Sequence, residues 1–200
     1  PFAIPNASDG AHDIAHITRV WANARAIAKS EGGDLEILAA ATLLHDCVSV
    51  EKDSPERAKA SSLAAKAAST HLEKLGWRPQ QIARTCHAIR AHSFSANITP
   101  ETLEARILQD SDRLDAIGLI GVARCFYVAG RMGSALYDPD DPRAASRTLN
   151  DRAFAIDHFE TKLLDLADGF QTPEGQRLAT ARHGELLNFR DAFLRQIGAP

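Results

Sequence analysis

The chain has 200 residues, 44% of them hydrophobic, and a formal net charge of −3. This length can fill one hydrophobic core and leaves little for a second, so we expect a single domain over residues 1–200. The slightly negative charge argues against a strongly basic surface, and therefore against a protein that binds nucleic-acid polymers by neutralising phosphates.

The cysteines and the hydropathy pattern indicate a cytoplasmic protein. Cys47, Cys86 and Cys125 are odd in number and form no CxxC motif, which disfavours a disulfide framework or a thiolate zinc site. The first residues, PFAIPNASDGAHD, show neither the basic nor the apolar region of a signal peptide. No stretch approaches the roughly 18 apolar residues of a membrane span, so no membrane partner is expected.

Helical periodicity dominates the chain. Apolar residues recur at three- and four-residue steps, and no alternating strand pattern is found. The expected helices cover approximately 12–30, 35–50, 58–75, 80–92, 101–131, 150–168 and 174–197. The prediction is an all-α fold, a bundle of about six to eight helices, with its core over 12–130 and C-terminal helices over 150–197 packed on it.

Glycine, proline and capping residues mark the helix boundaries. Gly32-Gly33 closes the first predicted helix, and Asp34 is placed to cap the second. Between residues 130 and 147, glycine, proline and a run of aspartates break the helical period, so we expect a long surface loop there.

A His-Asp pair, His45-Asp46, follows the apolar run from Ile37 to Leu44. A buried imidazole and carboxylate cost roughly several kcal/mol unless they have partners, and a metal ion would be such a partner. The dipeptide is not specific by itself, because His12-Asp13 is a second one. The alternative is a core histidine beside a carboxylate that is hydrogen-bonded to neighbouring backbone.

Two other predicted helices offer further metal ligands. His16 lies near the apolar stripe of the first helix, and three aspartates lie in the segment ILQDSDRLDAIG at 107–118. Side chains three and four residues apart share a helix face. Asp110 then has arginine neighbours and is interpreted as a surface salt-bridge partner, whereas Asp112 has apolar neighbours and is the better candidate. Asp115 either orients a ligand or pairs with an arginine or a backbone amide.

The predicted ligand set contains two nitrogens, from His16 and His45, and two carboxylates, from Asp46 and the favoured Asp112. This set leaves coordination positions open and suits an octahedral divalent ion better than a closed zinc site. Mn²⁺ is the first choice, with Mg²⁺, Fe²⁺, Co²⁺ and Ni²⁺ as competitors. The alternative is an all-α scaffold without a metal.

The remaining histidines receive different predictions. His87 and His92 are separated by about 140° of helical phase, so both cannot easily face one ion. His92, near a helix end, is predicted to contact phosphate or donate a proton, and His87 is interpreted as core. His71 and His183 are assigned to the surface.

The sequence resembles the HD-domain superfamily of metal-dependent phosphohydrolases, which is defined by a first His, a His-Asp doublet and a distant Asp. It is most similar to the bacterial single-domain subgroup with the pattern HDxxHxxRV. The matching motifs are HDIAHITRV at 12–20, LLHD at 43–46, CHAIRAHSFS at 86–95, QDSDRLDAIGLIGVAR at 109–124, ALYDPDDP at 135–142 and DHFETKLLDL at 157–166. Ser111 stands where the subgroup commonly has Ala. The segment HDCVSVEK lacks the extra acidic pair of the alarmone hydrolases, which weakens assignment to that activity.

The resemblance implies a phosphohydrolase that acts on a small phosphorylated substrate by attack of metal-activated water on phosphorus. The most specific activity it suggests is conversion of a nucleoside triphosphate to the monophosphate and pyrophosphate. The alternatives are a nucleotidase-type phosphomonoesterase with the same ion, and a non-catalytic domain that senses a metal or ligand.

A phosphoryl-transfer reaction also needs donors aimed at phosphate oxygens. The predicted catalytic residues are Asp46, His92, Lys52 and Arg19. The predicted substrate contacts are Arg19, Lys52, Arg57, His92 and Lys162. For each cation the alternative is a solvated surface position, and for Lys162, which shares a face with His158, it is packing between helices.

Overall fold

The described residues form seven α-helices, in segments where apolar residues recur with helical spacing. The computed structural model describes residues 14–48, 59–93 and 96–198, and within these ranges there is no β-strand. The helices are α1 (Ile14–Glu31), α2 (Leu35–Leu44), α3 (Ala60–Lys74), α4 (Pro79–His92), α5 (Leu103–Leu114), α6 (Gly118–Met132) and α7 (Pro173–Gln196). The predicted all-α fold is confirmed. No helix in these ranges is both long and apolar enough to cross a bilayer.

Helix α2 begins at the predicted cap but ends before the predicted residue 50. The Asp34 carboxylate accepts hydrogen bonds from the backbone N–H groups of Glu36 and Ile37, at 3.0 and 3.3 Å. At the other end, His45 is the C-cap, and its ring nitrogen Nδ1 lies 2.7 Å from the Thr42 carbonyl oxygen. A carbonyl of the last turn is thereby satisfied by a side chain, so the His-Asp doublet lies in the turn that follows α2 and not within a helix.

The predicted helix over 101–131 is two helices, separated at residues 115–117. The buried Asp115 accepts a hydrogen bond from Arg124 at both its carboxylate (2.9 Å) and its backbone carbonyl (3.2 Å). Gly118 begins α6 with a φ of +70°, in the left-handed region that favours glycine. An added Cβ there would lie 2.9 Å from the movable Glu185 Oε2 and 3.1 Å from Arg182 Cβ, so the positive φ is the main reason for glycine at this position.

The predicted helix over 150–168 is wrong for most of its length. After α6 the chain is irregular until a π-helical turn at Phe159–Leu163 and a 3-10 turn at Asp165–Ala167. Arg147 holds this region by donating to the Asp157 carboxylate (2.8 Å) while its guanidinium lies 4.6 Å from the centroid of the Phe154 ring. The predicted loop over 130–147 therefore begins a few residues later, after α6, and extends further than expected.

The contacts within the chain divide it into two units. The first contains the described residues up to Asp112 together with Gln171–Gly175, and the second contains Arg113–Phe170 and the residues from Gln176 onward. The predicted single domain with C-terminal helices packed on its core stays a prediction.

Each unit has its own apolar centre. In the first, α3 packs against α4 through alanines, and Ala64, Ala65 and Ala68 are at most 2% exposed. In the second, aromatic rings cluster, with the Phe126 centroid 5.7 Å from that of Phe193 and the Phe159 centroid 5.9 Å from that of Phe189.

Glu104 on α5 is a buried carboxylate that connects two other helices of the first unit. It accepts hydrogen bonds from the Asp34 backbone N–H (3.0 Å) and from Arg84 on α4 (2.7 Å). Burial by itself would raise the pKa of Glu104, but these hydrogen bonds outweigh it and hold the pKa below its usual value. The ionised form of Glu104 therefore stabilises the fold.

Glu104→Gln should lower the free energy of unfolding at pH 7 by about 1–3 kcal/mol, because it removes the charge from two hydrogen bonds. The folded-state pKa is depressed, so the stabilisation is present above the unfolded-state pKa and is lost as the pH falls through the folded-state value. Urea unfolding should therefore show the difference from wild type shrinking below pH 4.5. Glu101→Gln, at an exposed position, is the control, and an equal loss there would contradict this interpretation.

Candidate metal centre

The four predicted ligands meet at one place in the first unit. His16 comes from α1, His45 and Asp46 from the turn after α2, and Asp112 from the last turn of α5. His16 Nε2 lies 3.3 Å from His45 Nε2 and 3.5 Å from Asp112 Oδ1, and His45 Nε2 lies 3.5 Å from Asp46 Oδ2. Neighbouring donors on one octahedral ion are about 3 Å apart when each bond is about 2.1 Å. The spacing therefore fits ligands of a single ion.

The hydrogen bonds of the rings show which nitrogen faces this centre. His45 Nδ1 lies 2.7 Å from the Thr42 carbonyl and His92 Nδ1 lies 2.6 Å from the Ile89 carbonyl. A carbonyl only accepts, so each Nδ1 carries the proton, and in the neutral ring each Nε2 presents a lone pair to the centre. Lone pairs and two carboxylates directed at one point are the donor set that a cation requires.

The centre is buried on its nitrogen side and accessible on its oxygen side. His16 and His45 are each 1% exposed, whereas the side chains of Asp46 and Asp112 are 33% and 31% exposed. A closed structural site would exclude solvent from all its ligands. This arrangement leaves room for water or a substrate beside the carboxylates, as in metal sites that perform catalysis.

His92 is the fifth side chain at this centre. Its Nε2 lies 3.7 Å from Asp46 Oδ1, and its ring meets that of His45 edge to face with the centroids 4.9 Å apart. Burial and the neighbouring His45 lower the pKa of His92, which keeps the ring neutral. Within the part of the chain that the structure describes, two groups of side chains could hold an ion: His16, His45 and Asp112, and His45, Asp46 and His92.

His87 faces elsewhere, as its helical phase predicted, but its assignment to the core is wrong. It is half-buried, and its Nε2 accepts a hydrogen bond from the Glu101 backbone N–H at 3.0 Å. His71 and His183 are half-buried as well, although both were expected at the surface. His183 Nδ1 is itself inaccessible to solvent.

The structure describes only two of the four predicted cationic residues. Arg19 is half-buried on α1, one turn after His16. Lys52 and Arg57 lie outside the described residues. Lys162 is exposed on the π-helical turn of the second unit. Their roles in binding a substrate stay predictions.

Asp110 is buried, which corrects its interpretation as a surface salt-bridge partner. It is 1% exposed and accepts hydrogen bonds from the Gln171 N–H at 2.8 Å, the Thr172 N–H at 2.9 Å and the Thr172 hydroxyl at 2.7 Å. Thr172 in turn accepts from the Gly175 N–H at the start of α7. Both oxygens of Asp110 are thus engaged with residues 171–172. The Thr-Pro-Glu sequence at the start of α7 is a capping signal, but nothing in it points to Asp110.

The HD domain family model matches residues 13–117, more than half of the chain and a range that includes all four clustered side chains. The chain belongs to the HD-domain family. This HD-domain protein is 34% identical over 190 residues to the uncharacterized protein YpgQ of Bacillus subtilis, across 93% of this chain and 82% of that protein.

Solved structures agree with this assignment. A crystal structure of an HD-superfamily hydrolase from Bacillus thuringiensis is 32% identical and superposes with a TM-score of 0.72, across 93% of this chain and 86% of the other. The crystal structure of B. subtilis YpgQ in complex with ADP is 33% identical with a TM-score of 0.72, across 94% and 90% of the two chains. The chain therefore has the fold of HD-superfamily hydrolases.

Substituting each of the two aspartates of α5 in turn should show which one binds the ion and which one stabilises the fold. Asp112→Ala should weaken Mn²⁺ binding by more than about 10-fold with little effect on unfolding, because its side chain is partly exposed. Asp110→Asn should leave Mn²⁺ affinity within about 2-fold and lower the free energy of unfolding by about 1–3 kcal/mol. Calorimetric titration and urea unfolding measure the two effects. Loss of the ion in the Asp110 variant alone would reverse the assignment.

Proposed function

We propose that this HD-domain protein is a divalent-metal-dependent phosphohydrolase that converts a nucleoside triphosphate to the monophosphate and pyrophosphate. The observation that carries the proposal is the convergence of His16, His45, Asp46 and Asp112 around one point, with both carboxylates on the accessible side. The relative YpgQ, which has been crystallised with ADP, supports a nucleotide as the ligand.

The donor set favours Mn²⁺ as the ion. Two neutral imidazoles and two carboxylates carry a charge of −2, which balances a divalent cation, and the mixture of nitrogen and oxygen suits Mn²⁺ with Mg²⁺, Fe²⁺, Co²⁺ and Ni²⁺ as competitors. Such an ion, when bound, lowers the pKa of water and polarises a phosphoryl oxygen.

Asp46 and His92 are placed to cooperate. One Asp46 oxygen faces His45 Nε2 at 3.5 Å, and the other faces His92 Nε2 at 3.7 Å. In our proposal the first oxygen would hold the ion, and the second would accept a hydrogen bond from His92 Nε2 once that nitrogen has taken up a proton. His92 Nε2, with its lone pair free of a proton, receives a proton from the attacking water and then donates it to the departing pyrophosphate.

The charge that develops on the phosphate oxygens needs cationic partners. Arg19 is the candidate nearest in sequence to a ligand, one turn along α1 from His16, and it is only partly exposed. Lys52 and Arg57 complete the proposed substrate contacts of this site, and the role of Lys162 stays a prediction from the sequence. These residues are expected to affect KM more than ion affinity.

A screen of ribo- and deoxyribonucleoside triphosphates with the Mn²⁺-loaded protein should show pyrophosphate release without stepwise orthophosphate release. Asp46→Asn should lower kcat/KM by more than the 10- to 100-fold that is typical for outer partners of metal ligands, because it alters a ligand itself. Asp165→Asn, which removes an exposed carboxylate from the 3-10 turn, is the matched control and should retain wild-type activity.

Two other results would replace the proposal. Stepwise release of orthophosphate would identify a nucleotidase-type phosphomonoesterase with the same ion. A protein that binds Mn²⁺ but leaves nucleotides and generic phosphoesters intact would be a non-catalytic sensing domain.

His92→Asn should lower kcat by roughly 10²- to 10⁴-fold, the usual contribution of proton transfer. Its Mn²⁺ affinity should stay within about 3-fold of wild type if His92 handles a proton and does not hold the ion. His87→Asn, on the same helix and bonded to the Glu101 backbone, is the matched control. A large loss of Mn²⁺ affinity in the His92 variant would instead make His92 a ligand.

A further inference from the structure

Two buried carboxamides connect the helices that carry the site residues. Asn23 on α1 and Gln109 on α5 are each 7% exposed. Asn23 Nδ2 donates to the Ser111 carbonyl at 3.0 Å, and Gln109 Nε2 donates to the Ala91 carbonyl at 2.7 Å. Ser111 directly precedes Asp112 and Ala91 directly precedes His92. Each amide therefore holds the peptide group joined to a site residue.

Both acceptors belong to the last turn of a helix. The last four carbonyls of an α-helix have no partner within the helix, and a buried carbonyl without a partner costs about 1–3 kcal/mol. Helix α4 ends at His92 and α5 at Leu114, so Ala91 and Ser111 lie in the last turn of each helix. A side-chain donor on a neighbouring helix satisfies each carbonyl and fixes the direction in which the helix end points.

Each of the two amides also shares a helix face with a residue of the site. Asn23 is seven residues after His16, so both lie on the same face of α1, and Gln109 is three residues before Asp112 on α5. The Asn23 hydrogen bond therefore connects α1, which carries His16, to α5, which carries Asp112. The facing atoms of these two residues, His16 Nε2 and Asp112 Oδ1, lie 3.5 Å apart. The Gln109 bond ties the helix of Asp112 to the end of α4 that carries His92.

We propose that Asn23 and Gln109 are positioning residues of the metal centre. Asn23 acts through Asp112 on the affinity for the ion, and Gln109 acts through His92 on turnover. This inference rests on the proposed function, and the two residues have separate readouts because they hold different site residues.

The test uses near-isosteric variants that lack a donor, Asn23→Leu and Gln109→Met, in the full-length protein. Asn23→Leu should weaken Mn²⁺ binding by roughly 10- to 100-fold, the usual effect of removing an outer partner of a metal ligand. Gln109→Met should leave Mn²⁺ affinity within about 3-fold and lower kcat by roughly 10- to 100-fold through misplacement of His92. Titration calorimetry and electron paramagnetic resonance of Mn²⁺ report affinity without turnover.

The control is Gln176→Met. Gln176 Nε2 donates to the Ala167 carbonyl at 3.2 Å, a bond of the same type next to no predicted site residue. This variant should retain wild-type Mn²⁺ affinity and kcat. Nitrogen NMR of the histidine rings supplies a readout for Gln109 that needs no substrate, because its loss should shift or broaden the His92 signals while leaving those of His87 unchanged.

The outcomes distinguish this inference from the proposed function. Wild-type protein that binds Mn²⁺ without hydrolysing nucleotides would overturn the function, and weaker binding by Asn23→Leu would still support positioning. Wild-type affinity in Asn23→Leu, or unchanged kcat and His92 signals in Gln109→Met, would overturn the inference alone. If either variant fails to fold, Asn23→Ser and Gln109→Ser replace it, and failure of these as well would make the role purely structural.

Discussion

The hydrogen bond from His45 Nδ1 to the Thr42 carbonyl is the interaction on which the centre depends. It satisfies a carbonyl at the end of α2, and it fixes the ring so that Nε2 faces His16 and Asp46. The same bond thus ends the helix and selects the tautomer that presents a lone pair. Without it, the doublet would not be directed towards the other ligands.

Residues of the site also lie at the C-terminal ends of two other helices. His92 is the last residue of α4 and donates to the Ile89 carbonyl, and Asp112 lies in the last turn of α5. Helix C-termini carry a partial negative charge that favours cations by about 0.3–1 kcal/mol each. The ends of α2, α4 and α5 therefore add to the attraction of the carboxylates for a positive ion.

The sequence predicted which side chains come together better than it predicted the helices. His16, His45, Asp46 and Asp112 could be selected because histidines and aspartates near an apolar stripe need partners, and the structure brings them together. The break before Gly118 was missed because both flanking segments keep the helical period. The Arg124–Asp115 pair and the positive φ of Gly118 show where the first helix ends.

Other residues escaped prediction because their partners are distant in the chain. The burial of Asp110 depends on residues about sixty positions later, and the irregular course before Phe159 depends on the contact of Arg147 with Asp157. Periodicity reports only neighbours along a helix. The carboxamides Asn23 and Gln109 were hidden for the same reason, since their acceptors are backbone carbonyls that leave no pattern in the sequence.

The bonds of Asp110 to Gln171 and Thr172 also bear on where an HD domain ends. The family match stops at residue 117, but the buried Asp110 carboxylate of the first unit takes its hydrogen bonds from residues 171–172, and Gly175 approaches it so closely that any side chain would collide. A fragment cut at the family boundary would retain this carboxylate and lose its donors. Residues 171–175 belong to the same unit as Asp110, so this unit extends beyond the segment that matches the family model.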